Sequence, residues 1–183
     1  MKYRNYCILC VLFIFSASLK CKKTHATPPV SNTEQLPLAT QEGKNTCGFL
    51  LNGKVWVPKG SSGSSSNMSW YYDAGLNGGT FNLVGRRFAG DETSSTFAIG
   101  MNSFNKAGFY EINIDSTKVS QFSYINNFCS YRWRDTVIDH NSFVNITKFD
   151  TQNQIIAGTF EFTLYKSGCD TVRITQGRFD VKY

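Results

Sequence analysis

After Pro58 the sequence contains no proline, and no stretch of it carries apolar residues at a sustained helical spacing. Without a 3.6-residue period there is no basis for a helical bundle or for helices layered on a sheet. The missing proline leaves every backbone donor of the later chain free for strand ladders. Histidine is almost absent: His25 lies near the N terminus and His140 sits in a polar loop. A serine hydrolase needs a nucleophile, a histidine and a carboxylate brought together, and no serine here sits in a nucleophile elbow. No C-x-x-C pair offers zinc-ligand spacing, and no glycine-rich loop opens a helix to cradle phosphate. Neighbouring carboxylates such as Asp91-Glu92 lack the spacing of a calcium loop. No catalytic residue, metal ligand or cofactor is therefore assigned, and the reading leans away from an enzyme, with a hydrolase kept as the last alternative.

A concentrated positive charge is missing as well. The formal net charge is +6, from 19 basic and 13 acidic residues. Lys2, Arg4 and Lys20 precede residue 21, so residues 21–183 carry 16 basic against 13 acidic side chains, a net of +3. Those cations are scattered. A nucleic-acid binder gathers them on one face, so no nucleic-acid partner is expected.

What is present begins with an export pattern. Residues 1–20 read as a signal peptide: Lys2 and Arg4 precede the apolar run from Cys7 to Phe15, and Ser16-Ala17-Ser18 follow. The run is shorter than the ~20 residues a membrane-spanning helix needs. Cys21 then stands where the lipobox of bacterial lipoproteins places its diacylated cysteine, although Lys20 replaces the usual small residue before it. Residues 21–44 hold Pro28, Pro29 and Pro37 among polar residues and read as a lipid-anchored disordered tether. The expected location is the outer membrane, facing the periplasm or the cell surface, with the membrane reached through the lipid. A cut after Ser18 would instead give a soluble periplasmic or secreted product.

Residues 45–183 read as one antiparallel β domain of about 8–10 strands, an all-β sandwich or a partly closed barrel. Asn52-Gly53 between apolar arms predicts a two-residue hairpin that sets Leu51 against Lys54 and Phe49 against Trp56. Period-2 alternation recurs at Phe81/Leu83, Phe97/Ile99/Met101 and Tyr110/Ile112/Ile114, and again from Phe128 to Trp133. The terminal hairpin is the clearest element. Ile156, Phe160, Phe162 and Leu164 share one parity; after the Lys166–Asp170 turn, Val172 and Ile174 are even but Phe179, Val181 and Tyr183 are odd. One extra residue near Gln176-Gly177 reconciles the two sets, which predicts a β-bulge with Gly177 at its special backbone position.

Three cysteines fall in the domain, Cys47, Cys129 and Cys169, so at most one internal disulfide can form. Cys129 with Cys169 is the preferred pair, with three buried thiols as the alternative. Trp70, Tyr72, Tyr131 and Trp133, with Arg132 and Arg134, are the candidate platform for a glycan or other planar ligand. Core packing competes for the same aromatics, since about half of each alternating strand faces inward. Asp115-Ser116-Thr117, Asp135-Thr136-Val137 and Asp170-Thr171-Val172 match the short O-glycosylation signal of exported Bacteroidota proteins.

Asn52-Gly53-Lys54-x-Trp56, Gly108-x-Tyr110-x-Ile112 and Gly158-Thr-Phe-x-Phe162 followed by Gly177-x-Phe179 resemble a group of small Bacteroidota lipoproteins that carry a domain of unknown function. The resemblance covers roughly residues 45–183. It implies the β fold and supports lipid anchoring, and it brings no catalytic residue. The expected function is a non-enzymatic envelope protein that binds a ligand, a glycan or a partner protein. The alternative is an assembly component without a small-ligand site.

Overall fold

A computed structural model describes residues 34–90, 94–112 and 121–183. The leader, Cys21, most of the tether, Asp91-Glu92 and Asp115-Ser116-Thr117 lie outside the described residues. Among the described residues twelve strands form two antiparallel sheets packed as a sandwich that does not close into a barrel. The larger sheet comprises β1 (Thr46–Leu51), β2 (Lys54–Trp56), β6 (Gly108–Glu111), β9 (Val137–Ile138), β10 (Phe143–Asp150), β11 (Ile155–Tyr165) and β12 (Val172–Lys182). Its order is β2-β1-β12-β11-β10-β6, with β9 paired to β11. The smaller sheet runs β3 (Met68–Asp73), β4 (Thr80–Arg87), β5 (Ser95–Met101), β7 (Gln121–Asn126) and β8 (Ser130–Arg132). Three of the twelve strands, β2, β8 and β9, have only two or three residues.

The Asn52-Gly53 turn takes positive φ at both positions, 48° and 81°, and pairs Phe49 with Trp56 and Leu51 with Lys54. The two rings stack at 4.5 Å inside the sandwich. Around them Phe97, Phe160 and Phe162 close the centre, with Phe97 stacked on Phe160 at 5.0 Å. The indole N–H of Trp56 donates to Ser95 Oγ at 2.8 Å, so its one polar group is satisfied where it is buried.

The terminal hairpin carries its bulge where the parity switch places it. Phe160 pairs with Gly177 but Phe162 with Ile174, leaving Glu161 opposite Thr175 and Gln176. The residue in the left-handed region is Gln176, at φ 52°, and not Gly177. Gly177 is required for space. A Cβ there would sit 2.4 Å from two atoms of the Phe160 ring and 2.5 Å from its carbonyl oxygen.

The compact unit starts at Glu34 rather than at Asn45. Residues 34–44, assigned by composition to the tether, form a strap fastened to the outside of the larger sheet. Pro37 lies over Gly48, where a Cβ would approach Pro37 Cδ to 2.7 Å. Glu34 accepts from Arg87 Nη1 and Lys59 Nζ, each at 2.8 Å. At the other end, Asp180 accepts the Thr40 hydroxyl (2.6 Å) and the amides of Gly43 (2.7 Å), Glu42 (3.0 Å) and Lys44 (3.2 Å). Asp180 points away from the core, because Phe179 and Val181 take the inward parity, yet the strap leaves it only 1% exposed. A strap without apolar periodicity is thus held by Asp180, by Lys59 and Arg87 on Glu34, by Arg178 donating to the Pro37 carbonyl at 3.5 Å, and by Pro37 packed over Gly48.

Candidate functional site

The pleat of the smaller sheet decides which aromatic side chains can meet a ligand. Cross-strand neighbours share a face. One row runs Met68, Gly85, Phe97, Tyr124 and Tyr131, and another Trp70, Leu83, Ile99 and Phe122. Their burial makes these the inner face. Tyr131 is 1% exposed and its hydroxyl donates to the Asp170 carbonyl. Trp70 and Tyr72 lie on the same inner face of edge strand β3, partly buried. The Trp70 indole N–H donates to the Lys182 carbonyl at 2.8 Å, and the Tyr72 hydroxyl to that of Phe104 at 3.1 Å. Three of the six platform residues therefore serve the packing.

The other three come together. The intervening outward row runs Ser69, Val84, Ala98, Ser123 and Arg132. Alternation from Phe128 to Trp133 predicts a strand through Trp133, with that indole facing the same way as Tyr131. The strand ends at Arg132, however, and the next residues turn, with the Asp135 amide donating to the Arg132 carbonyl at 3.0 Å. Trp133 is thereby released to the surface at 39% exposure. Arg134 places its guanidinium carbon 4.8 Å from the centroid of the Trp133 ring.

With Ala98, Gly100 and Ser123 these residues frame a groove of about 570 Å³ on the outer face of the smaller sheet. That size lies within the ~300–1,000 Å³ of small-molecule sites. The groove's lining combines the short side chains of Ala98, Gly100 and Ser123 and the aliphatic Ile125 with Arg132, Trp133 and Arg134. Asn82 borders it, and its amide donates to the Tyr71 hydroxyl at 2.7 Å, which places a 49% exposed ring on the next strand beside the groove. The sequence places Tyr71 in the aromatic run Trp70-Tyr71-Tyr72 but not among the six platform candidates, and the small groove residues were missed. The outward parity of Tyr71 against Trp70 and Tyr72 was the available signal.

Three links pin the groove's wall to the opposite sheet. Cys129 and Cys169 form a disulfide, with Cα atoms 6.1 Å apart, joining the start of β8 to the β11–β12 turn. Lys166 Nζ donates to the Ser130 carbonyl and to Asp135 Oδ2, both at 2.7 Å. The Tyr131 hydroxyl bond to Asp170 is the third. Chain-entropy arguments put such a disulfide at about 2–4 kcal/mol, and it ties the start of β8 to the β11–β12 turn. The Lys166 ammonium beside Asp135 holds that carboxyl below its usual range.

None of the remaining reactive groups is among the residues that line the groove. Cys47 is buried with its thiol pushed up to about 12, which keeps it an unreactive core residue. The His140 side chain is 88% exposed, with Asp139 Oδ1 3.7 Å from its Nδ1. Thr136 is 5% exposed and its hydroxyl bonds Asp135, so the folded domain does not offer it for glycosyl transfer; Thr171 is half-buried. Among the described residues no three His, Cys, Asp or Glu side chains cluster as a metal site would.

No curated protein and no solved structure matches the chain. A family profile does, over residues 69–181. Two of the three stretches that carried the resemblance, around Tyr110 and in the terminal hairpin, fall within this match, whereas Asn52-Gly53-Lys54-x-Trp56 precedes it. The chain belongs to the family described as a domain of unknown function (DUF6252).

Proposed function

We infer that the chain is an exported, lipid-anchored envelope protein whose sandwich is a non-enzymatic binding domain, with its site in the groove beside Trp133. The observation that carries the binding reading is the release of Trp133 at the end of β8 onto a floor of short side chains, backed by Arg134. An exposed indole with a cation on one side can offer its other face to the C–H surface of a sugar ring, and a site ordered before binding carries little ordering cost. The leader pattern and the cysteine at position 21 support export and anchoring in a Bacteroidota-type outer membrane.

Two experiments test the two halves. In fractionated cells the parent chain is expected in the membrane fraction and Cys21→Ser in the soluble one; membrane retention of the variant refutes the anchor. Against a panel of neutral and acidic oligosaccharides, the full chain is expected to bind at least one, and Trp133→Ala to weaken that binding at least tenfold, about 1.4 kcal/mol. Binding unchanged by Trp133→Ala, or no saccharide bound at all, removes the groove from the account.

A second reading rests on edge strand β6. Its Phe109 is 59% exposed and stacks on Phe143 at 4.9 Å, as an assembly component presenting a sheet edge would display. Loss of self-association or partner capture on Phe109→Ser, with saccharide binding absent, would favour that role.

A further inference from the structure

Resting on the groove as the binding site, we propose that its ligand is an acidic saccharide, one whose sugar ring lies against Trp133 while a ring carboxylate is taken by Arg132 and Arg134. The charges inside the groove motivate the choice. Two guanidinium groups and one carboxylate line it. That carboxylate, Asp135, is already paired at 2.7 Å with Lys166, which approaches from the β11–β12 turn. Among the described residues neither Arg132 nor Arg134 has an acidic partner in any ion pair. The groove thus holds two cations uncompensated by its own acid.

Geometry narrows the class further. Arg134 holds its guanidinium carbon 4.8 Å from the Trp133 ring centroid, and a guanidinium directs its N–H donors outward in its own plane. Such a fork suits the two oxygens of a carboxylate. Arg132 shares the outward row of Ser123 and Ala98, so its charge stands at the end of a row of short side chains. A sugar ring seated in the groove against Trp133 would have both cations among the residues around it. An acidic peptide fits less well: an extended chain gains its affinity from main-chain bonds to a strand edge, and the groove lies on a sheet face. A neutral saccharide would use the indole and leave both guanidinium groups without a partner.

The test compares one sugar in two charge states. Oligogalacturonate and its methyl ester share ring and linkage, and only the first carries carboxylates. The full chain is expected to bind oligogalacturonate at least about tenfold tighter than the ester, a difference of one charge-assisted contact or more. Arg132→Gln and Arg134→Gln should each erase most of that difference, whereas Arg173→Gln, on the exposed side of β12, should not. The preference should also shrink from ~0.01 M to ~0.15 M salt, as the screening length falls from ~30 to ~8 Å. Equal binding of acid and ester in a Trp133-dependent manner overturns the acidic ligand and leaves the groove standing. Binding of neither overturns it too; if neutral sugars also fail to bind, the groove falls with it. Polyglutamate that competes as well as the uronide assigns the cations to peptide recognition and likewise contradicts the proposal.

Discussion

Replacing Gly177 with alanine is expected to destabilise the domain by about 4 kcal/mol, beyond the ~1–3 kcal/mol of ordinary overpacking. A single Cβ at this position would overlap the Phe160 ring at 2.4 Å and, more seriously, the Phe160 carbonyl oxygen at 2.5 Å. A side chain can rotate away from a methyl group, but a carbonyl in the middle of β11 cannot. To admit the methyl, β11 and β12 must separate at the bulge, and Phe160 contacts Phe49, Phe97 and Phe179 across the core. The melting temperature should fall by on the order of 10 °C for a chain of this size. Gln176→Gly provides the contrast. Gln176 holds the left-handed backbone at φ 52°, so glycine relieves strain there, and the variant should stay within about 1 kcal/mol of the parent. Chemical denaturation of the two variants checks both. Equal tolerance of both substitutions would contradict the packing role of Gly177.

Removing the Asp180 carboxylate should have a comparable effect. Asp180→Ala leaves the Thr40 hydroxyl and three strap amides without their acceptor, at an expected cost of about 3–5 kcal/mol. Burial by itself would raise the Asp180 carboxyl. The Thr40 hydroxyl and the amides of Glu42, Lys44 and Gly43 outweigh it and hold the group below the usual carboxylate range. A folded value below the unfolded ~3.9 means that this stability is fully present above about pH 4 and is lost as the pH falls through the folded value. The parent should therefore exceed Asp180→Asn in stability at pH 7, and the gap should close on acidification below pH ~4. Amide exchange gives the local readout: Glu42, Gly43 and Lys44 should exchange faster in Asp180→Asn while the β11–β12 ladder stays protected. A gap that persists undiminished to pH 2 would exclude the carboxylate as its source.

These two positions also mark how far the sequence could be read. The parity switch located the bulge, because alternation is a local pattern carried by the residues themselves. Whether Gly177 serves a backbone angle or a close approach depends on Phe160, which is adjacent only after the hairpin pairs. Asp180 alternates with Phe179 and Val181 and so reads as a solvent-facing residue. Its burial comes from the strap, whose proline-containing polar composition gives no sign of packing. The Asn52-Gly53 turn lay at the other extreme, since its chemistry fixes its geometry and register.

The groove was half visible. Arg132, Trp133 and Arg134 drew attention as an aromatic and cationic run. Separating them from Tyr131, Trp70 and Tyr72 required knowing that β8 stops at Arg132 and that β3 turns Tyr71 outward. The floor could not be anticipated. Ala98, Gly100 and Ser123 are unremarkable on their own strands and become a surface only when β5 and β7 pair.

Hydrogen–deuterium exchange of the full chain with and without saturating oligosaccharide measures directly where a saccharide sits. Protection is expected in β5 around Ala98–Gly100, in β7 at Ser123 and in the Arg132–Asp135 turn, with the strap and the outer face of the larger sheet unchanged. Protection confined to the larger sheet, along β6 and β10, would contradict the groove as the site.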